Sequence, residues 1–316
     1  MAARLREDFS YICRMNPFIS IIIPFYGAAD KMLLQRCINS IREQGMEEGS
    51  YEVIVTDDGG KGLGAARNKG MRQATGTYLM FIDADDFLLQ NLTQCIPELM
   101  KIHPDVCSFN MCKVREKVFK SFISISMWTT YDSGAEYLNS ENFTGSACRH
   151  FFRRRFLNDH NITFAEECYH EDEDFLAKVY CWASTTVVTN AHFYAYYMNP
   201  FSITHQSSLE MRLRRLADFH KMLYRMKDLL LSVEAAEGAE SMRTMGVKRR
   251  LNFLIIDYIR LLLRNRSPYL QQQFKALKYE GFLPLPKIDY TWKYRIARMV
   301  TVSYTHLRAH ETLANL

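Results

Sequence analysis

Along the first third of the chain, unbroken apolar runs alternate with amphipathic ones. Phe18 to Pro24 (FISIIIP) is continuously apolar and rich in β-branched residues, the pattern of a strand buried on both faces of a parallel sheet. A helix follows, roughly Ala29 to Gln44, with Leu34, Cys37, Ile38 and Ile41 at spacings of three and four. Tyr51 to Thr56 (YEVIVT) reads as a second strand, Ala65 to Ala74 as a helix, and Tyr78 to Ile82 (YLMFI) as a third strand. Asn91 to Ile102 is helical in pattern and Val106 to Met111 strand-like. Such alternation predicts an α/β sheet, mostly parallel and flanked by helices, with ligands at the carboxyl ends of its strands.

The residues after each strand change that picture from a fold to a site. Phe25-Tyr26 follows the first strand, Asp57-Asp58-Gly59-Gly60 the second, and Asp83-Ala84-Asp85-Asp86 the third. Asp-Asp-Gly alone is commonly a turn, and an acid before a helix is commonly a cap. Three carboxylates within four residues exceed what a cap requires, and together they repel one another unless a cation or donors are present. Hard oxygen ligands suit Mg²⁺ or Mn²⁺, and Mg²⁺ is typically held by one or two carboxylates plus substrate phosphates. Two acidic clusters on consecutive strand ends therefore predict a metal–phosphate site.

Composition excludes several classes. With 48% hydrophobic and 24% charged residues in 316, the chain is not mainly disordered. No apolar run reaches the ~18 residues of a membrane span, and Met1 to Asn16 lacks the apolar core of a secretory signal. The 8 cysteines are scattered without a Cys-x-x-Cys pair, which favours reduced thiols in a cytoplasmic protein over zinc or a disulfide scaffold. Charge is unevenly placed: residues 1–210 hold 20 Lys+Arg against 26 Asp+Glu, and residues 211–300 hold 19 against 8. The two parts are expected to present different surfaces.

In this order, several short segments resemble family 2 glycosyltransferases. They are Ile19 to Tyr26 (ISIIIPFY), Leu33 to Gln44 (LLQRCINSIREQ), Tyr51 to Gly59 (YEVIVTDDG), Gly62 to Gly70 (GLGAARNKG) and Ala74 to Phe87 (ATGTYLMFIDADDF). Ile162 to Phe175 (ITFAEECYHEDEDF) resembles the acceptor half, and Tyr196 to Thr204 (YYMNPFSIT) its closing loop. The resemblance implies a GT-A, Rossmann-like nucleotide-sugar-binding fold and an inverting transfer from a nucleoside diphosphate sugar, a UDP-sugar first among candidates, to a saccharide or lipid-linked saccharide. By the same resemblance, Pro24 and Tyr26 would line the base pocket and Asp58, with Asp57 beside it, would bond the base. Arg67 would help hold the nucleotide, Asp83 would face ribose and metal, Asp85 would ligate Mn²⁺ or Mg²⁺, and Asp172 would be the catalytic base.

Charge chemistry agrees with these roles. Negative charge develops on a leaving diphosphate, which a divalent ion stabilises as a Lewis acid. The acceptor hydroxyl must lose a proton as it attacks, which needs a carboxylate within reach. Glu171, Glu173 and Asp174 would raise the pKa of Asp172, while a helix N-terminus there would lower it, so the net sign is open at this stage. The acidic run also suits a plain solvated helix start. Arg153-Arg154-Arg155 reads as a solvated helix face before a diphosphate-binding cluster, His170 as structural or surface before an aid to proton transfer, and Trp128, Trp182 and Trp292 as packing residues before sugar platforms.

The chain departs from the resembled pattern after Asp58. Only Gly59, Gly60 and Lys61 precede the Gly62 segment, where the family carries a further β-α unit, so one unit is expected to be missing and the pocket around Asp58 and Arg67 weakened. A catalytically impaired or non-catalytic binding or scaffold subunit is thus one alternative. A sugar-phosphate nucleotidylyltransferase is another, though Phe25-Tyr26-Gly27 stands where its Gly-rich phosphate loop would be.

Residues 208–300 read as basic helices, chiefly Leu209 to Leu231 and Met245 to Leu263, with a break at Gly281 to Pro286 and a compact basic run at Lys248-Arg249-Arg250. Such extensions occur in relatives that build bacterial surface polysaccharides. The expected partner is an anionic surface on the inner face of the cell membrane, with a packed bundle as the plain alternative and nucleic acid excluded for want of a motif. Val302 to Thr312 (VSYTHLRAHET) resembles translated adapter read-through. The expected organisation is an N-terminal extension over 1–16, a GT-A domain over 17–207, a helical extension over 208–300 and a non-native tail over 301–316.

Overall fold

A computed structural model describes residues 16–26, 30–89, 92–115, 127–198 and 208–301. The chain divides into two units, Met1–Ser207 and Ser208–Leu316.

The first unit is built on one eight-stranded sheet of order β2-β1-β3-β7-β5-β8-β4, with β6 paired to β8. In chain order its elements are β1 (Ile19–Pro24), α1 (Lys31–Arg42), β2 (Tyr51–Thr56), α2 (Leu63–Gln73), β3 (Tyr78–Phe81), β4 (Phe87–Leu88), α3 (Ile96–Ile102), β5 (Val106–Val114), β6 (Trp128–Tyr131), α4 (Gly134–Ser140), β7 (His150–Arg153), α5 (Arg154–Asp159), α6 (Glu171–Trp182) and β8 (Thr186–Tyr197). The longest ladders, β1 with β2 and β5 with β8, are parallel. β1 also runs parallel to β3, from Ile19↔Tyr78 to Ile22↔Phe81. β7 is antiparallel to both β3 and β5 and joins the two parallel halves.

Local chemistry explains these elements. Every residue of β1 is buried, as a β-branched run covered on both faces requires. α1 starts where the Asp30 carboxylate accepts from Met32 N–H at 2.7 Å. α2 packs unusually close to its neighbours because it carries glycine at two contacts. A Cβ on Gly70 would lie 2.3 Å from the Ile22 side chain, and one on Gly64 would lie 2.1 Å from the Ala165 carbonyl oxygen. The first contact seats α2 on β1, and the second admits the loop that leads to α6.

One expectation is met and one needs correction. As the sequence predicts, no further β-α unit follows Asp58: residues 57–77, including α2 alone, make the crossover from β2 to β3 with β1 between them. Among the described residues β2 stands at the sheet edge. The Arg153-Arg154-Arg155 run is not a solvated helix face. Arg153 ends β7 and pairs with buried Asp105, and Arg154 donates to the carbonyls of Gly76 at 2.7 Å and Thr75 at 3.0 Å. Only Arg155 is exposed. The reason is that Arg153 closes β7 and Arg154 opens α5, where each finds an acceptor on a neighbouring strand end: Asp105 before β5, and the Thr75 and Gly76 carbonyls before β3.

The second unit is helical: α7 (Leu209–Glu237), α8 (Met242–Arg264), α9 (Leu270–Tyr279) and α10 (292–301). Serine hydroxyls cap two of them, Ser208 accepting from Met211 N–H at 3.2 Å and Ser241 from Thr244 N–H at 3.1 Å. Phe219 stacks on Tyr258 with centroids 5.5 Å apart, among buried Met222, Leu223, Leu254 and Leu262. Arg249 and Arg250 are buried, so the basic run at 248–250 is largely part of this packing rather than an outward surface. No helix among the described residues is long and apolar enough to cross a membrane. Residues 1–15, most of the loop Tyr196 to Thr204, and the adapter-like stretch from Val302 lie outside the described residues.

Candidate functional site

The carboxyl ends of β1, β2 and β3 lie side by side, and the acids predicted from sequence gather there. Pro24 closes β1 as a buried residue, and Tyr26 beyond it is well exposed. After β2 the chain folds tightly around its two acids. Asp57 accepts from Gly59 N–H at 3.1 Å and pairs with Lys69 at 2.6 Å, which holds its carboxyl below the usual carboxylate range. Asp58 accepts from Gly60 N–H at 3.0 Å and Gly62 N–H at 3.2 Å. Gly59, Gly60 and Gly62 all take positive φ, which a side chain would resist. Both acids thus shape the turn that replaces the expected unit.

The turn after β3 separates its three acids by role. Asp86 is fully buried: Tyr194 O–H donates to one carboxylate oxygen, and Tyr197 N–H donates to the other at 2.7 Å. Burial first, then Asp83, pushes its carboxyl up to about 8. Asp86 therefore pins β8 to the turn. Asp83 and Asp85 stay partly exposed. Asp83 N–H donates to the Tyr194 hydroxyl at 3.1 Å, and its carboxylate meets Arg67 at 3.1 Å. The Asp85 carbonyl accepts from Arg36, whose guanidinium also lies 4.3 Å from the Tyr197 ring and 4.8 Å from the Phe87 ring.

The Arg67 side chain is only 1% exposed and turns inward, where one guanidinium nitrogen meets Glu171 at 2.9 Å and Asp172 at 2.6 Å while the other meets Asp83. It lies 5.3 Å from the ring of Phe164, which stacks on Phe175 with centroids 3.7 Å apart. The Arg67 guanidinium is shared among three carboxylates and joins the β3 turn to the start of α6. The loop before α6 is fixed from α2 as well, since Asn68 Nδ2 donates to the Phe164 carbonyl at 3.0 Å and to Glu166 at 2.9 Å.

Asp172 sits in the first turn of α6 with 19% of its side chain exposed. Arg67 holds Oδ1, and Ala147 N–H donates to Oδ2 at 3.2 Å. Burial is the largest influence on its carboxyl, Arg67 opposes it, and Glu171 and Asp83 add to it; the result is pushed up to about 7. The sign left open by sequence is therefore upward, and desolvation rather than like charge leads. Glu171, nearly buried, is also raised, chiefly by burial and against the pull of Arg67.

Among the described residues no group of three or more His, Cys, Asp or Glu forms a ready metal cage. The donor set at the β3 turn, Asp83 and Asp85, fits a hard divalent ion whose remaining ligands come from substrate phosphates and water. Sequence reading missed the pinning role of Asp86, its partner Tyr194, and Arg36. It weighed Glu171 only as a neighbour of the base, whereas the structure makes it a second partner of Arg67.

The family model described as Glycosyl transferase family 2 matches residues 20–61 and 60–160. The two matched stretches meet in the tight turn after β2. EpsJ, an uncharacterized glycosyltransferase of Bacillus subtilis, is 25% identical over 223 residues, 60% of this chain and 64% of that protein. TarS of Staphylococcus aureus, a poly(ribitol-phosphate) β-N-acetylglucosaminyltransferase, is 25% identical over 206 residues, 56% of this chain and 35% of that one. The chain thus spans less than two thirds of the length of both relatives. The crystal structure of S. aureus TarS 1–349 in complex with UDP-GlcNAc matches with TM-score 0.53 and 19% identity, over 77% of this chain and 81% of that chain. The likeness shows the same GT-A fold.

Proposed function

From the premise that the chain belongs to glycosyl transferase family 2, we propose that it moves a sugar, with inversion, from a nucleoside diphosphate sugar to a hydroxyl of a saccharide or lipid-linked saccharide. The observation that carries this reading is the buried junction of Arg67 with Asp83 and Asp172. It supports one site in which donor and acceptor ends are held by a single guanidinium. Family membership sets aside the nucleotidylyl-transfer alternative.

In this reading Asp83 and Asp85 hold a divalent ion, which when bound supplies Lewis-acid stabilisation of charge on the leaving diphosphate. Tyr26 and Pro24 flank the base, beside the turn shaped by Asp57 and Asp58. Asp172 takes the proton of the acceptor hydroxyl. Each carboxylate oxygen accepts at two positions, so the bonds from Arg67 and Ala147 N–H leave room for that hydroxyl. A carboxyl near 7 is matched to proton transfer at neutral pH. One displacement with one base inverts the anomeric centre.

The UDP-GlcNAc bound by TarS and the ribitol-phosphate polymer in its name support a UDP-sugar donor and a polymer acceptor as the first to try. A cytoplasmic enzyme, peripheral on the inner face of the membrane, would meet both. The test is release of nucleoside diphosphate from a panel of UDP- and GDP-sugars with lipid-linked acceptors and Mn²⁺. The closed turn at Asp58 favours one second reading, a binding subunit without turnover. Tight UDP binding with no release from any donor would favour that reading; donor-specific release that Asp172→Asn abolishes would exclude it.

A further inference from the structure

The helical unit carries an open apolar groove of about 370 Å³ between α8 and α10. Leu263 on α8 and Trp292, Ile296 and Val300 on α10 line it, and they are 52%, 66%, 48% and 60% exposed. Residues 292, 296 and 300 recur every four, so they form one stripe along α10. The opposite side of α10 is already covered: Tyr294 is buried, with its ring 5.6 Å from that of Phe253. The helix therefore has one apolar face packed inward and a second facing out.

We propose that this groove is a docking surface for an anionic lipid bilayer. Its charged lining residues are Arg260 and Lys293, with no acid among those described. Arg264 follows Leu263, and Arg295 and Arg298 lie on α10. Asp257 pairs with Arg260 at 3.0 Å and Asp289 with Arg295 at 2.9 Å, which leaves exposed Lys293 and Arg264 as the positive excess at the rim. The Lys293 ammonium lies 5.7 Å from the Trp292 ring, so cation and indole share one edge, as amphipathic groups do at a lipid headgroup layer.

Charge complementarity selects this occupant. A second copy docked face to face would bring the same cations together at its rim. Nucleic acid would leave Leu263, Ile296 and Val300 without an apolar partner. The chain's own 302–316 carries one Glu against one Arg and two His, and so offers little opposite charge. A bilayer supplies acyl chains for the stripe and anionic headgroups for the rim, and no described helix needs to span it. The proposal rests on the lipid-linked-acceptor reading only for its purpose, so vesicle binding and sugar transfer are scored separately.

The full chain is sedimented with vesicles of phosphatidylcholine alone and of equal parts phosphatidylcholine and phosphatidylglycerol. Binding is expected with the anionic vesicles only, weakening as salt rises. Lys293→Ser and Arg264→Ser should each lower partition about fivefold. Trp292→Ser and Ile296→Ser should lower it further without unfolding, because both side chains are exposed, while Tyr279→Ser, exposed on α9, should change nothing. Equal binding to neutral and anionic vesicles, or variants that bind like wild type, would overturn the proposal. So would absence of binding, whether accompanied by concentration-dependent dimers that Trp292→Ser abolishes or relieved only by ending the chain after Thr301.

Discussion

Arg67 donates to Asp172 at 2.6 Å across 105 residues of chain, from α2 to the first turn of α6. The same nitrogen reaches Glu171, and its neighbour reaches Asp83. Breaking a buried ion pair from one side leaves an uncompensated charge, which costs about 3–5 kcal/mol. Arg67→Met is therefore expected to lower unfolding free energy by about that amount, read by urea titration, and to remove turnover with it. Arg67→Lys keeps the charge but loses the planar fork, so it should keep more of the fold than of the activity. Arg67→Met as stable as wild type would show that the guanidinium is not the junction described.

The Asp172 carboxyl, raised to about 7 chiefly by burial, sets a pH dependence with a definite sign. Below that value the folded protein holds the proton, and a base at Asp172, as proposed, is blocked. kcat/KM should therefore rise with pH, about tenfold per unit, and level off above about 7. Linkage runs the other way for stability: the native state keeps a proton that the unfolded chain releases near 3.8, so this group's contribution is present at low pH and is lost as pH rises through about 7. Asp172→Asn should lower turnover about 10²–10⁴-fold with donor binding unchanged. A flat pH–rate profile in wild type would contradict the assignment.

Much of this site could be read from residue order, and the rest could not for physical reasons. The strands β1 and β3 announce themselves because continuous apolar runs have one stable place, inside a covered sheet, whereas β2 shows itself by β-branched residues on a half-buried edge. Their acidic ends follow directly. The inward turn of Arg67 is invisible locally, since burying a guanidinium depends on three carboxylates that arrive from 16, 104 and 105 residues away. The four residues of β7 are too few to show a period, and the arginines at its end disguised it. The basic excess of the second part was legible as a count, but Arg249 and Arg250 are buried while Lys293 and Arg264 face out.

Gly64 allows the loop before α6 to lie against α2. A Cβ there would stand 2.1 Å from the Ala165 carbonyl oxygen, which is backbone and cannot swing away. Gly64→Ala should cost about 1–3 kcal/mol, the usual range for overpacking. It should also displace the 164–167 segment that Asn68 holds, and so raise the acceptor KM more than the donor KM. Unchanged melting and unchanged kinetics together would mean that the loop relaxes freely.

Asp85 and Asp86 are adjacent, yet their substitutions should separate cleanly. Asp86 is buried between Tyr194 O–H and Tyr197 N–H, and Asp86→Ala leaves both donors without acceptors. Each buried unsatisfied group costs about 1–3 kcal/mol, so a loss of roughly 2–6 kcal/mol is expected by urea titration. Asp85 is only partly covered, and the turn grips it through its carbonyl, which Arg36 holds and which Asp85→Asn retains. Asp85→Asn should therefore melt within a few degrees of wild type. Its effect should fall on the divalent ion: removing one of two ligand charges from a site that phosphates complete should weaken Mn²⁺ binding, measured by electron paramagnetic resonance with UDP present. The converse pattern, a destabilised Asp85→Asn and a stable Asp86→Ala with weak Mn²⁺ binding, would mean that the ligand and the pin had been assigned to the wrong members of the turn.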